Sequence, residues 1–260
     1  MSRYHAFAAV TLLLVGIFTG CAQLPGGDGG RDDIGLLNAI VADQVEYVKA
    51  AVDSGTVTVN ERIPAPAYAE GTPLITIAAR EGALTVLRYL ISAGADVNAR
   101  TPVNETPLML AAYFYGTDRQ GTPNENFDQA ARMLVDAGAL LENDGASYTP
   151  LSYAAYQGND KMVRFLLERG ARVNADAQNG VTYINTPLMM AAMQGHKETT
   201  LILLRAGADA RIRVDDGHTA SELAAKYIGR DLVGVLKCAE QLQSGETFAQ
   251  QCDGSQRARL

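Results

Sequence analysis

The sequence has few of the side chains that metal and redox sites require. Its 260 residues include no Trp, three Cys and three His. No Cys-x-x-Cys, His-x-x-x-His or Gly-x-Ser-x-Gly spacing occurs, so the familiar metal and nucleophile motifs are missing. We therefore predict no metal site, no cofactor and no catalytic residue, and hence a protein that is not an enzyme.

The sequence also has no surplus of positive charge. Lys and Arg number 22 against 29 Asp and Glu, for a net charge of −7. Binding to nucleic acid requires a basic stripe, and adsorption to anionic lipid requires a basic patch. The composition therefore predicts no nucleic-acid partner. With 47% apolar and 20% charged residues, it is typical of a folded globular chain.

No apolar run is long enough to cross a bilayer as a helix, which takes about 20 residues. The apolar run Ala6 to Phe18 is interrupted only by Thr11 and Gly16 and suits the core of a secretory signal. It continues as Thr19-Gly20-Cys21, which resembles a bacterial lipobox with Phe18 in place of the usual Leu. The resemblance implies that residues 1–20 are a signal peptide and that Cys21 is lipidated. The alternative is an ordinary cleaved signal with a chance Cys.

The residues after Cys21 have the composition of a tether. Ala22 to Asp33 is dominated by Gly, Pro and Asp, which favours a flexible linker at residues 21–33. Ala22 follows the lipidation site, and by resemblance to enterobacterial sorting a residue other than Asp favours the outer membrane. We expect a lipid-anchored protein at the periplasmic face of the envelope. Without residues 1–20 the chain has 21 basic and 29 acidic residues, a net charge of −8.

The two remaining cysteines, Cys238 and Cys252, lie 14 residues apart. The predicted compartment is oxidising, so we expect them to form a disulfide that holds the C-terminal tail on the last helix pair. A loop of this size contributes about 3 kcal/mol by the chain-entropy argument. The alternative is a pair of buried free thiols.

The body of the chain is an internal repeat, and three short motifs recur in the same order. The motif Thr-Pro-Leu is followed closely by Ala-Ala, and each unit ends with Gly-Ala. Thr is a good helix N-cap, Pro fits the first helical turn, and Gly ends a helix in the left-handed conformation. The motif threonines are Thr72, Thr106, Thr149 and Thr186, with a degenerate copy at Thr219.

This pattern resembles the ankyrin repeat, whose unit is about 33 residues long. The segment Gly94-Ala95-Asp96-Val97-Asn98-Ala99 matches the family's closing motif outright. The resemblance covers residues 34–243 and leaves 244–260 as a C-terminal tail. It implies an all-α ankyrin-repeat solenoid of stacked helix pairs with β-hairpin-like fingers, about six repeats and capping repeats at both ends. By the same resemblance, His196 occupies a turn where it is expected to cap the following helix.

Two insertions break the repeat period. Residues 116–126 separate the two helices of the third repeat, and residues 178–185 lengthen a finger that includes Tyr183. Insertions in a solenoid often lie on the binding face, although neutral variation in a tolerant loop predicts the same pattern.

The resemblance also implies a binding surface, since partners of ankyrin arrays usually meet the fingers and the concave face of the first helices. The corresponding positions in the middle of the array are rich in Tyr, Phe and Met, which are enriched at protein interfaces. The alternative places some of these rings in the core, as we expect for Tyr153. The predicted protein-binding residues are Tyr113, Phe114, Tyr148, Tyr156, Met193 and Tyr183.

These observations favour a monomeric, membrane-anchored protein-binding scaffold with no small-molecule substrate. One alternative is an immunity or inhibitor protein that neutralises a periplasmic toxin. The other is an enzyme with an unrecognised site in the 117–128 insertion. Its candidate residues are Asp118, Arg119, Glu125 and Asp128.

Overall fold

A computed structural model describes residues 32–65, 68–114, 125–143, 148–175, 186–213, 217–227, 232–243 and 245–253. The predicted signal peptide, Cys21, the linker up to residue 31, residues 116–124 of the first insertion and the whole second insertion with Tyr183 lie outside these residues. Within the described ranges, no helix combines the length and hydropathy that a membrane crossing requires.

Thirteen helices are found in the described residues, and the first twelve form six successive pairs. The first two pairs are α1 (Asp33–Val41) with α2 (Val45–Asp53), and α3 (Leu74–Glu81) with α4 (Leu84–Ser92). The next two are α5 (Pro107–Tyr113) with α6 (Asn126–Asp136), and α7 (Pro150–Gln157) with α8 (Asp160–Glu168). The last two are α9 (Pro187–Gln194) with α10 (Lys197–Arg205), and α11 (Ala220–Tyr227) with α12 (Val233–Glu240), followed by the short α13 (Phe248–Gln251).

The pairs stack because their facing surfaces are small and apolar. Each first helix contacts the first helix of the next pair, so that α1, α3, α5, α7, α9 and α11 form one continuous row. The Ala-Ala motifs of α3, α5, α7 and α9 are fully buried, as at Ala111-Ala112 and Ala154-Ala155. Side chains without bulk let neighbouring helices approach closely, and one pair alone could not bury its apolar face. The predicted mostly helical solenoid is confirmed, while the number of repeats and the capping role of the end pairs stay predictions.

The Thr-Pro-Leu motif starts three of the first helices as predicted. Thr106, Thr149 and Thr186 each accept a hydrogen bond from the backbone N–H three residues later, and the following Pro opens the helix. Thr72 differs, because it lies in strand β2 (Tyr68–Pro73), which pairs antiparallel with β1 (Arg62–Ala65). Helix α3 therefore begins only at Leu74, and the buried Thr72 hydroxyl has no hydrogen-bond partner in the described part of the chain.

Asparagine side chains connect consecutive fingers. In three places an Asn Oδ1 accepts a hydrogen bond from a backbone N–H of the next repeat, at 2.8, 2.8 and 3.0 Å. Each bond joins residues 35 to 42 positions apart, so it fixes one repeat against its neighbour. The three pairs are Asn60 with Asp96, Asn98 with Leu140, and Asn174 with Asp209.

The C-terminal tail is held at two places. Cys238 of α12 and Cys252 are joined by a disulfide, with their Cα atoms 5.8 Å apart. In addition, α13 contacts α10, and Arg205 Nε donates to the buried carboxylate of Asp253 at 2.7 Å. This hydrogen bond is the largest cause of the raised pKa of Arg205. The tail therefore also contacts the fifth helix pair, which the sequence did not indicate.

Candidate functional site

The predicted aromatic positions are brought together by the helix row. Tyr113 is the last residue of α5 and Phe114 follows it, while Tyr156 lies in the last turn of α7. Tyr113 and Tyr156 each come directly after a buried Ala-Ala pair, so they occupy the same position in adjacent repeats. Tyr148 precedes the helix-capping Thr149, and Tyr153 lies in the middle of α7. Because α5 packs on α7, all five rings meet at one place.

We call Tyr113, Phe114, Tyr148, Tyr153 and Tyr156 the aromatic cluster. Tyr113 is its centre, with ring centroids 5.0 Å from Phe114, 5.4 Å from Tyr153 and 6.2 Å from Tyr156. The first two contacts are edge-on, and the third is nearly parallel, with the planes at 16°. The rings of Tyr148 and Tyr153 lie edge-on at 6.3 Å. Edge-on aromatic pairs are favourable because the positive edge of one ring meets the negative face of another.

The aromatic cluster is only partly buried. Tyr153 is 7% exposed and belongs to the core, as predicted. The other four rings are half-buried, and Tyr113, Tyr148 and Tyr156 pack on the core with part of their surface accessible. Met193 holds the equivalent position in α9 and is also half-buried. These residues therefore combine a fixed position with apolar surface that a partner could still cover.

A carboxylate lies beside the rings. Glu105 Oε1 accepts a hydrogen bond from the Tyr153 hydroxyl at 3.1 Å. Burial raises the pKa of Tyr113, and the charges of Tyr156 and Glu105 act in the same direction. Tyr113 thus keeps its proton at neutral pH and can donate or accept a hydrogen bond.

A guanidinium group lies at the other end of the aromatic cluster. The Arg80 guanidinium carbon is 5.1 Å from the centroid of the Phe114 ring, and Arg80 also forms an ion pair with Glu81 at 3.7 Å. The contacts of Arg80 and Glu105 with rings of other repeats were not predicted from the sequence. These contacts could have been predicted from the motif spacing, because equivalent positions of neighbouring repeats lie side by side.

His196 is the N-cap residue of α10, as expected from its position, but the predicted side-chain capping hydrogen bond is wrong. Its side chain makes no capping hydrogen bond to α10. Instead, His196 Nε2 lies 3.0 Å from the backbone oxygen of Tyr156, forty residues earlier. The ring also packs so closely on Gly158 that a Cβ there would lie 2.5 Å from Nδ1. The imidazole thus fixes the turn that carries Tyr156, because the neighbouring repeat brings that carbonyl within its reach.

The candidate residues of the enzymatic alternative take part in structural contacts where they are described. Glu125 forms an exposed ion pair with Lys161 at 3.4 Å, and Asp128 accepts a hydrogen bond from Asn159 at 3.4 Å. Asp118 and Arg119 lie outside the described residues. Among the residues that the structure does describe, no three His, Cys, Asp or Glu side chains group as a metal ligand set.

Stacked helix pairs with capped first helices define a helical repeat solenoid, and comparison with known proteins gives the family. A family model for "Ankyrin repeats (3 copies)" matches residues 76–177, and one for "Ankyrin repeats (many copies)" matches residues 151–204. Residues 76–204 of this chain are therefore ankyrin repeats, which confirms the family predicted from the Thr-Pro-Leu motifs.

Similar stretches occur in otherwise different proteins. The chain is 27% identical over 112 residues to a transient receptor potential cation channel subfamily A member 1 homolog of Caenorhabditis elegans, covering 43% of this chain and 8% of the channel. It is 29% identical to a putative ankyrin repeat protein of fowlpox virus, covering 42% and 30%. It is 32% identical to human ankyrin repeat and SOCS box protein 3, covering 42% and 20%. The chain thus spans less than a third of each of these relatives.

Proposed function

We propose that this protein is a non-enzymatic protein-binding scaffold whose contact surface is the aromatic cluster together with Met193. The observation that carries the proposal is a set of connected, half-buried rings contributed by two adjacent helix pairs. Ankyrin repeats are themselves binding modules, so fold and surface support the same class of function.

The physical reason is that this surface loses little freedom when a partner binds. Its rings stand on buried Ala-Ala helices and already contact one another, so few rotamers remain to be frozen. Aromatic side chains concentrate the binding energy of many interfaces when water is excluded around them. Residues of this kind, on a rigid scaffold, favour recognition of a folded partner or a protein segment.

The proposal includes membrane attachment through Cys21 at the periplasmic face of the outer membrane, as a monomer. Its support is the lipobox-like sequence and the Gly-rich residues that follow. Metabolic labelling with a fatty acid tests this part. We expect label on the full chain and none on a Cys21→Ser variant, and an unlabelled wild-type chain would contradict the anchor.

A photo-crosslinking experiment tests the binding surface. A photoreactive amino acid at the exposed Gln194, next to Met193, is expected to give a discrete protein adduct in cells. The same amino acid at the exposed Arg88, in the second-helix row, is the control and should give none. Equal adducts at both positions, or none at Gln194, would count against the proposal.

A second pair of variants tests whether formation of the Gln194 adduct depends on the aromatic cluster. We expect Tyr156→Leu to reduce the Gln194 adduct, while Tyr89→Leu, a half-buried tyrosine of α4, leaves it unchanged. A single dominant adduct, together with slow dissociation of the same partner from the complex that has not been crosslinked, would indicate the immunity role, since an inhibitor holds one toxin tightly. Several adducts would indicate a general scaffold.

A further inference from the structure

We propose that the outer face of α1, formed by Ile34, Leu37, Asn38 and Val41, docks on a zwitterionic lipid surface. This inference rests on one part of the proposed function, the attachment of the chain to a membrane through Cys21. It goes beyond that attachment, because it names the part of the solenoid that contacts the bilayer.

Helix α1 is apolar on two opposite sides. Its inner side packs on the rest of the stack and consists of the buried residues Leu36, Ala39 and Ile40. The four positions of the outer face fall within an arc of about 100° on the other side of the helix, at 3.6 residues per turn. Ile34 is 74% exposed, Val41 is 37% exposed and Leu37 is half-buried. Because a surface helix normally turns a polar side to solvent, the apolar outer face indicates that another surface covers it.

The outer face is open because α1 begins the row of first helices. Asn38 precedes the buried Ala39-Ile40 as Tyr153 precedes the buried Ala154-Ala155. In α7 this position faces the preceding pair, since the Tyr153 ring contacts Tyr113 of α5 at 5.4 Å. Among the described residues, no helix pair precedes α1, so the equivalent side of α1 has no neighbour there.

The outer face is also held in a fixed position. Asp32 Oδ1 accepts a hydrogen bond from the Gly35 N–H at 2.8 Å, and Asp32 Oδ2 accepts one from the Tyr47 hydroxyl at 3.2 Å. Just after the other end of α1, Asp43 Oδ1 accepts a hydrogen bond from the Thr85 N–H of α4 at 3.0 Å. Both ends of α1 are therefore fixed by the first two helix pairs, so docking has little backbone left to order.

The proposed lipid anchor lies close to this face in the sequence. Residues 22–32, eleven in all, separate Cys21 from Asp33, where α1 begins. Eleven residues reach at most about 40 Å, and a Gly-rich chain of that length has an r.m.s. end-to-end distance of about 17–20 Å. A bilayer-attached Cys21 would therefore keep the outer face near lipid at a high effective concentration.

Other coverings of the outer face are less favourable. Residues 22–31 contain one large apolar side chain, Leu24, and so offer little apolar surface. A second copy of the chain would contribute an identical helix of nine residues, which falls far short of the area of about 1,200 Å² that a stable dimer buries in total. A lipid surface needs no complementary shape, because an apolar helix face can lie at the boundary between headgroups and acyl chains.

The charge around the outer face selects the kind of lipid. Residues 32–53, which include both helices of the first pair, carry five acidic side chains and one lysine. Anionic lipid attracts basic segments, and by the same electrostatics it repels an acidic helix pair. We therefore expect docking on zwitterionic lipid such as phosphatidylcholine.

Docking through α1 leaves the aromatic cluster accessible. Neighbouring first helices pack about 10 Å apart, so α5 and α7 lie about 20–30 Å along the row from α1. A partner can therefore reach the aromatic cluster while α1 contacts lipid.

The test uses the full-length acylated chain in phosphatidylcholine vesicles that contain spin-labelled phosphatidylcholine, which quenches a fluorophore only at short range. A bimane fluorophore on an Asn38→Cys variant reports on the outer face. The same fluorophore on Glu168→Cys, exposed at the end of α8, is the control. We expect strong quenching at position 38 and little at position 168. Quenching at position 38 should weaken in vesicles of phosphatidylcholine and phosphatidylglycerol in equal parts.

A pair of serine substitutions locates the effect on the outer face. Ile34→Ser and Val41→Ser together remove exposed apolar surface, and serine has a helix propensity close to that of both residues, so the fold should be kept. The ratio of docked to undocked chains, measured from the quenched and unquenched fluorescence lifetimes, should fall about tenfold. Val103→Ser, a change at a residue that is 56% exposed in another repeat, is the matched control and should leave the ratio unchanged.

The outcomes separate this inference from the proposed function. Equal quenching at positions 38 and 168, a ratio unaffected by the two serine changes, or stronger quenching with phosphatidylglycerol overturns the inference. Excimer emission from a pyrene label at position 38 would place a second copy on the outer face and overturn it as well. If Cys21 carries a fatty acid and the Gln194 adduct forms in these cases, the proposed function stands and only the docking of α1 fails. If Cys21 carries no fatty acid, the membrane attachment fails, and this inference fails with it.

Discussion

Removing the disulfide should loosen the C-terminal tail without disturbing the middle of the solenoid. The perturbation is the double change Cys238→Ala and Cys252→Ala. The bond closes a loop of 14 residues' separation, and its loss costs about 3 kcal/mol by the chain-entropy argument. Because adjacent repeats interact only with their neighbours, this cost should fall mainly on α13 and the last helix pairs.

Other contacts of the tail limit the effect. Phe248 is 5% exposed, and its burial contributes about 1.5–3 kcal/mol. The ion pair of Arg205 with Asp253 adds at most about 1 kcal/mol, because the Arg205 side chain is 32% exposed. The tail should therefore stay docked most of the time but open about 100-fold more often, since each 1.4 kcal/mol is tenfold.

Amide hydrogen exchange measures this opening directly. The amides of residues 252 and 253 both donate to the Phe248 oxygen, at 2.9 and 3.1 Å, and report on α13. Their exchange should accelerate about 100-fold in the double variant. The Phe114 amide, which donates to Leu110 in α5, is the internal control and should not change. Unchanged exchange at 252 and 253, or equal acceleration at Phe114, would refute the reasoning.

Two further predictions concern the site itself. Gly158→Ala should lower the free energy of unfolding in urea by about 1–3 kcal/mol more than Gly170→Ala. Both positions have positive φ (69° and 95°), but only Gly158 faces His196. Equal losses of stability would contradict the packing of His196 on Gly158. The pKa of Tyr113 in the folded state is raised above 10.0. The stability that this raised pKa gives the folded protein is therefore fully present below pH 10.0 and is lost as the pH rises through the folded-state pKa. Tyr113→Phe should therefore flatten the loss of stability above pH 10.0 in urea unfolding, and an unchanged slope would show that this phenol is not responsible.

Much of the fold follows from local rules that the sequence displays. Thr106, Thr149 and Thr186 cap helices because the backbone N–H groups of the first turn have no acceptor within the helix. This requirement does not depend on where the helix lies in the fold. The Ala-Ala pairs of α3, α5, α7 and α9 are buried because only small side chains permit close stacking. Tyr153 was placed in the core because it holds a position that the repeat reserves for a large apolar side chain, and it is 7% exposed.

The exceptions come from neighbours that are distant in sequence. Thr72 has the same motif as the other threonines, yet it pairs with Ile63 in a strand and does not cap α3. His196 reaches the Tyr156 carbonyl only because the preceding repeat presents it there. The repeat pattern is an average over copies, so it does not contain the contact that one particular side chain makes.

For the site, the chain alone indicated which positions face outward and that they are rich in rings. These positions recur at the same place in successive repeats, and the helical periodicity that turns them outward is a local property of the sequence. Packing of α5 on α7 brought the Tyr113 ring against the rings of Tyr153 and Tyr156, and a hydrogen bond joins Glu105 to the Tyr153 hydroxyl. Such contacts depend on rotamers and on the angle between neighbouring repeats, and these are settled only when the whole stack forms, because each pair is stable only against the next.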